Sequence, residues 1–140
     1  MEKLDFKYLN LIKDLLVENK LPVSDLNNRI TFFVEKRDKN IIAVGGIEDA
    51  GADAIIRSIA VAENCKGKGY GAEITKQLLY YAKTQKKNDI YLLTTTAQNY
   101  FPKFGFKEVN RNDLPAAVKN SSQYKDVCPE SAVIMKLKLS

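Results

Sequence analysis

Apolar positions along the chain recur with two different periods. Phe6, Leu9, Ile12 and Leu16 fall at helical spacing with Leu15 beside them, which predicts an amphipathic helix near the start, and Asp5 is placed to cap it. Leu21-Pro22 ends that helix, because the residue before a proline is pushed out of the helical region. Ser24-Asp25-Leu26 predicts a short second turn. Residues 31–35 read as a strand, Arg37-Asp38-Lys39-Asn40 as a polar turn, and residues 41–48 as the returning strand. A connection over 49–53 leads to a third strand over 54–61. Ile74, Leu78, Leu79 and Ala82 mark the core face of a helix over 72–83. Ile90-Tyr91-Leu92-Leu93 is a continuous apolar run, the pattern of a strand buried on both faces. A short helix and a brief strand over 106–109 follow. Residues 110–127 are polar and helical in places. The last segment alternates, with Met135, Leu137 and Leu139 on one face and Lys136 and Lys138 on the other. No repeat, low-complexity tract or linker interrupts this order. It predicts one α/β (α+β) domain over residues 1–140, a mixed sheet with helices on both faces.

Composition narrows the class. The chain has 140 residues, 45% hydrophobic and 28% charged, which is a globular and not a disordered balance. No run of about 18 apolar residues is present, so no membrane-spanning helix is expected. The first residues, Met1-Glu2-Lys3-Leu4-Asp5, lack the apolar core of a signal peptide, and a cytoplasmic location is expected. Two cysteines without CxxC spacing and no histidine argue against a zinc site, a disulfide scaffold or a histidine base. The net charge of +5 suits a polyanionic partner, and a polyanionic small molecule serves as well as nucleic acid. The densest cluster, Lys83, Lys86 and Lys87, reads as a solvated helix end.

The most informative stretch is Lys66-Gly67-Lys68-Gly69-Tyr70-Gly71, set between the third strand and the helix behind it. Glycines let several backbone N–H groups converge on one anion, the helix N-terminus adds its positive dipole end, and the lysines add charge. The stretch is suited to a pyrophosphate. It lacks the Gly-Lys-Ser/Thr of a Walker loop. Gly67, Gly69 and Ala72 match G-x-G-x-x-G/A literally, but Ala62 to Lys66 separate the first glycine from its strand, and Asp89 precedes the next apolar run instead of ending it. The spacing resembles instead the Q/R-x-x-G-x-G/A loop of the GNAT acetyltransferase superfamily, with Lys66 in the Gln/Arg position and Gly69 and Gly71 as the glycines. Ala97-Gln98-Asn99-Tyr100-Phe101-Pro102-Lys103-Phe104-Gly105-Phe106 looks like the short helix ending in Gly-Phe that is the superfamily's second signature. Pro102 departs from it, so this helix should begin late or kink.

The resemblance implies the GNAT acyl-CoA N-acyltransferase fold, a mixed and mostly antiparallel central sheet, and acetyl-CoA as cosubstrate. It places the pyrophosphate on Lys66, Gly67, Lys68, Gly69, Tyr70 and Gly71, and lays the pantetheine along Ile59, Ala60 and Val61 like an extra strand, with Thr94 and Phe101 nearby. It assigns the backbone N–H of Ile59 to the thioester carbonyl, where a donor aimed at the developing oxyanion is needed. A glutamate found in histone-type members would map to Ile55, which cannot act as a base. Glu48 is the candidate in its place, the alternative being a solvated strand-end carboxylate. The tyrosine often used as leaving-group acid would map to Phe101; Tyr100 is adjacent, but one residue along a helix turns about 100° away, and Tyr91 or Tyr124 could replace it only if geometry permits. Arg57 is a charge in an otherwise apolar strand and needs a partner. By alternation it shares a face with Ile59, so it could grip an acceptor carboxylate; an internal salt bridge, for instance with Glu48, is the alternative.

Several further phrases, among them Gly46-Ile47-Glu48, Ile56-Arg57-Ser58, Leu92-Leu93-Thr94-Thr95-Thr96-Ala97 and Cys128-Pro129-Glu130-Ser131-Ala132, resemble the arsenic-resistance-type amino-acid N-acetyltransferases within that superfamily. This implies an N-acetyltransferase acting on a small amino-acid-like amine by direct attack in a ternary complex, with Arg57, Glu48 and Tyr124 about the acceptor, no resident metal and a homodimer as one assembly. A protein-lysine or N-terminal acetyltransferase, or an acyl-CoA sensor without catalysis, are the other readings that the same residues allow.

Overall fold

The computed structural model describes residues 1–94, 97, 99–121, 124 and 132–139. Seven strands form one sheet: β1 (Glu2–Leu4), β2 (Ile30–Arg37), β3 (Asn40–Ala50), β4 (Asp53–Val61), β5 (Asp89–Thr94), β6 (Lys107–Val109) and β7 (Val133–Lys138). Their spatial order is β1-β2-β3-β4-β5-β7-β6. Among the described strands only β4 and β5 run parallel. That pair needs a crossover, which α2 (Tyr70–Thr84) supplies. Helix α1 (Asn10–Glu18) precedes β2, and the four-residue α3 (Ala116–Lys119) lies in the insertion before β7.

The sheet is covered on both faces because its strands alternate. On one side, Ile74, Leu78 and Ala82 of α2 pack with Ala43, Ile47, Ile56, Ile90, Leu92 and Met135. On the other, Ile12, Leu15 and Leu16 of α1 pack with Phe32, Val34, Val44 and Ala60. Leu114 and Val118, near α3, pack there with Ile55, Tyr91 and Ile134. Met135, Leu137 and Leu139 do share the α2 face, as the alternation predicts. Gly45 shows how closely α2 is seated: a Cβ at that position would lie 2.2 Å from Cγ2 of Ile74.

The beginning of the chain differs from the periodic reading. Residues Phe6–Tyr8 form a 3-10 turn, in which Asp5 accepts from the Lys7 N–H at 3.1 Å, and the α-helix starts only at Asn10. Phe6 is therefore 39% exposed and not part of the helix's core face. Strand β1 is too short and too polar for its pattern to show in sequence. A turn does form at residues 24–25, and from it Asp25 is turned inward to Arg57. Among the described residues no helix is long and apolar enough to cross a membrane.

Candidate active site

Two irregularities in the sheet open a cavity. The parallel pairing of β4 with β5 runs from Ala54–Ile90 to Ile56–Leu92 and stops, so the strands diverge beyond Ile56. At the same place β4 carries a bulge against β3: Arg57 pairs with Gly46 and Ala60 with Val44, so Ser58 and Ile59 together oppose Gly45. Ser58 absorbs the extra residue with φ +60°, a left-handed conformation that costs a non-glycine residue energy.

The bulge determines what faces the gap. The Ala62 N–H bonds to the Ile42 carbonyl at 2.8 Å, so Ala60 and Ala62 turn their backbone groups toward β3. By the alternation of an antiparallel ladder, Ile59 and Val61 turn theirs away from β3, into the space β5 has left. The Val61 carbonyl already accepts an N–H from the Asn19 side chain at 3.2 Å, and the same amide also bonds the Leu15 carbonyl at 2.9 Å. Asn19 and Leu21, which follow α1, are thereby built into the cavity wall.

The cavity encloses about 650 Å³ and is walled by Ile59 and Val61 of β4, Leu92 to Thr94 of β5, the glycine loop, and Ala97, Tyr100, Phe101 and Lys103. Gly67 and Gly69 have φ of +78° and +90°, so the loop uses the backbone freedom that glycine alone supplies cheaply. Gly69 is the N-cap of α2 and supplies no side-chain cap to the first helical N–H groups, and Tyr70, Gly71 and Ala72 of that first turn line the cavity. Lys66 makes only a surface pair with Glu63 at 3.0 Å, too weak to withhold its charge from an anion. Among the described residues, the charged residues that line the cavity are Arg57, Lys66 and Lys103, with no carboxylate.

The short Gly-Phe element is a 3-10 turn, Phe101–Phe104, with Pro102 in its first turn and Gly105 closing it at φ +99°. The proline thus enters where a missing N–H costs nothing. The late start also brings in Tyr100, which sequence spacing had turned away from the site. Its hydroxyl lies 3.7 Å from where a Cβ of Gly71 would be, it hydrogen-bonds with Thr75, and the Lys103 ammonium sits 4.2 Å above its ring. Burial raises its pKa, and the bond with Thr75 offsets only part of that rise. The phenol therefore keeps its proton at neutral pH.

The predicted acceptor residues are disposed differently. Arg57 is 3% exposed and its guanidinium is held from three sides. Nη1 and Nη2 donate to the two oxygens of Asp25 at 2.6 and 2.7 Å, Nη1 also donates to Glu48 at 3.0 Å, and Nε donates to the Ser58 hydroxyl at 3.3 Å. The internal salt bridge, one of the two expected alternatives, is thus formed. The reason is the bulge. It shifts the alternation by one residue, so Arg57 lies on the α1 side with Asp25 while Ile59 packs on the α2 side. Glu48 is fully buried against Arg57, with Arg29 at 3.7 Å, so it is not a solvated strand end; it is not itself one of the residues that line the cavity. Tyr124 packs with the α3 cluster, beneath Arg111 at 5.8 Å, and Tyr91 lies in the same cluster with its pKa pushed up to about 12 by burial and by Asp53 and Asp89. Neither lines the cavity. Ala60 faces α1, while Lys68 stands outside the lining residues. Cys128 lies outside the described residues.

Comparison with known proteins agrees with this geometry. A model of the acetyltransferase (GNAT) domain matches residues 28–108. No curated protein sequence matches. Among solved structures, a GNAT-family acetyltransferase from Staphylococcus aureus is 16% identical over 99% of this chain and 98% of its own, with a TM-score of 0.78. N-acetylglutamate synthase from Neisseria gonorrhoeae, solved with coenzyme A and N-acetyl-glutamate, is 14% identical over all of this chain and 34% of its own, with a TM-score of 0.77. The ribosomal-protein-S18-alanine N-acetyltransferase of Escherichia coli is 18% identical over 99% of this chain and 92% of its own, with a TM-score of 0.76. At these identities the structures attest the fold, and the matched domain, which covers more than half of the sequence, attests the kinship: the chain belongs to the GNAT acetyltransferase family.

Proposed function

We propose that residues 1–140 form a single acetyl-CoA-dependent N-acetyltransferase domain acting on the amine of a small amino-acid-like acceptor. The observation that carries this reading is the cavity where β4 and β5 part, walled at one end by the glycine loop and lined by the open edge of β4. The amides of Gly67 to Gly71 and the charge of Lys66 hold the pyrophosphate. The pantetheine lies along the edge of Ile59 and Val61, beside Thr94 and Phe101. The Ile59 N–H donates to the thioester oxygen, a role that gains strength as negative charge develops there.

The acceptor nitrogen attacks the thioester carbon, the C–S bond breaks, and the amide and the thiol of CoA are released. Glu48 does not line the cavity, so the amine sheds its proton to solvent. An α-amine is less basic than a lysine side chain, at about 10.4, and so sheds its proton more readily at neutral pH. The thiolate takes a proton from Tyr100, which lines the cavity and is protonated at neutral pH, and the proton that the nitrogen gives up as the amide forms returns through solvent to the Tyr100 phenolate. Lysines without carboxylates on the described wall favour an anionic or neutral acceptor over a polycation. The likeness to N-acetylglutamate synthase supports an amino-acid acceptor.

The test is thiol release from acetyl-CoA over a panel of amino acids, organoarsenical amino acids, peptides with free N-termini and lysine peptides. Turnover with the amino acids is expected, with organoarsenicals as the arm that reads the arsenic connection. A preference for peptides would reassign the acceptor, and failure to bind CoA by calorimetry would end the reading.

A further inference from the structure

Two carboxylates, an arginine and a strained serine meet beside the bulge, and the transfer chemistry uses none of their side chains. Asp25 and Glu48 have side-chain exposures of 1% and 0%, and that of Arg57 is 0%. Asp25 reaches the cluster from the loop after α1, Glu48 from β3, and Arg57 from β4, so the cluster ties three segments to one point of the sheet. An apolar trio of similar volume would serve stability as well or better. What such a cluster adds is geometry, because a guanidinium bound bidentately has one position and one orientation.

That position adjoins Ser58. The residue before it is fixed by the cluster, and Nε of Arg57 donates to its hydroxyl at 3.3 Å. The residues after Ile59 are fixed by pairing of Ala60 with Val44 and of Val61 with Ala43. Between these anchors the chain must fit one surplus residue, and Ser58 takes φ +60° to do so. Beyond Ile56, β5 is no longer there to hold β4 in register.

We propose that Asp25, Arg57 and Glu48 are positioning residues that pin the β4 bulge and thereby hold the Ile59 amide at the thioester carbonyl. The inference rests on the role proposed for that amide, and it acts through backbone placement alone. The cluster should govern turnover more than cosubstrate binding, since the loop that holds the pyrophosphate is anchored elsewhere, on α2.

Removing one member strands a buried charge, so Arg57→Ala can fail to fold. The informative variants are Asp25→Asn, which keeps shape and weakens the bidentate grip, and the charge-free triple Asp25→Asn/Glu48→Gln/Arg57→Met. For each, kcat and KM with acetyl-CoA, the CoA dissociation constant, and site-resolved hydrogen exchange by NMR are measured. Loss of a well-placed oxyanion donor lowers kcat about 100-fold, and that is the scale expected for the triple variant. KM for acetyl-CoA and the CoA dissociation constant should stay within about threefold, because uniform binding is untouched. The amides of Ala60 and Ala62, which bond to β3 just past the bulge, should exchange about tenfold faster or more, while those of β2 paired with β3 keep wild-type rates. Arg57→Lys should restore little, as lysine lacks the fork. Unchanged exchange at Ala60 and Ala62, or a kcat that falls only in step with the folded fraction, would overturn the proposal. If wild-type protein transfers no acetyl group, the proposed function fails, while the exchange measurement still decides whether the cluster holds the bulge.

Discussion

Replacing Gly45 with alanine tests how tightly α2 is seated on the sheet. The added methyl would lie 2.2 Å from Cγ2 of Ile74 and 3.0 Å from Cδ1 of Leu78. Carbon atoms rest at about 3.5–4.0 Å, so Ile74 would have to retreat by roughly 1.3 Å. Ile74 and Leu78 are both completely buried, and α2 itself would have to rise. Overpacking of this kind costs about 1–3 kcal/mol. Because Gly45 does not need a positive φ, alanine returns about 0.4–1 kcal/mol by restricting the unfolded chain. The expected net loss is about 1–2 kcal/mol, or a Tm lower by roughly 3–8 °C for a domain of this size. Urea unfolding gives the number, and a double-mutant cycle gives the cause. Ile74→Ala alone should cost about 2–5 kcal/mol, and less than that in the Gly45→Ala background, with a coupling of about 1 kcal/mol. Additive effects, or a Gly45→Ala variant as stable as wild type, would refute the steric account.

Three further outcomes are expected. Gly69→Glu should abolish acetyl-CoA binding in calorimetry, since a carboxylate would occupy the anion site and the residue must hold φ +90°; undiminished affinity would remove the loop from the cofactor site. Tyr100→Phe should lower kcat by roughly 10- to 100-fold, leaving KM for acetyl-CoA nearly unchanged, and the wild-type rate should climb with pH to the acceptor's own amine pKa without a decline from tyrosine ionisation near its usual value of about 10. Asp53 has its pKa raised, chiefly by burial and partly offset by its bond from the Asp89 N–H. The folded state thus binds that proton more tightly than the unfolded one, so this group's contribution is fully present below the unfolded value and is lost as pH rises through the folded value. Asp53→Asn should accordingly raise Tm at pH 7 and change it little near pH 3; a destabilised variant at pH 7 would reverse the sign.

The strands and α2 were legible because each is long enough for its period to show. The structure extends the expected 41–48 to Asn40–Ala50, 54–61 to Asp53–Val61 and 72–83 to Tyr70–Thr84. The glycine loop was legible for a chemical reason, since repeated glycines beside lysines have few other uses. The bulge was not. Nothing in Ile56-Arg57-Ser58-Ile59 announces a surplus residue, and strict alternation then puts Arg57 on the wrong face. Tyr100 was missed because helical geometry was extended backward through a segment that becomes helical only at Phe101. Asn19 and Asp25 carry no local signal at all. Their roles follow from segments far apart in sequence, and an ordinary asparagine or aspartate in a loop looks the same whether or not such a partner waits for it.

The parting of β4 from β5 also has a mechanical side. Only three residue pairs, Ala54–Ile90 to Ile56–Leu92, stitch the sheet's first four strands to its last three. The ladders on either side of this seam are longer, seven pairs between β3 and β4 and six between β5 and β7. The seam resists shear mainly through the side chains beneath it, where Ile56, Leu92 and Phe101 meet α2. A slender molecule laid along the vacant edge would lengthen the stitching and join the two portions. Occupancy of the seam then becomes a property of the whole sheet: heat resistance should climb with the logarithm of ligand concentration above its dissociation constant, and a protein stripped of ligand should yield first along this line.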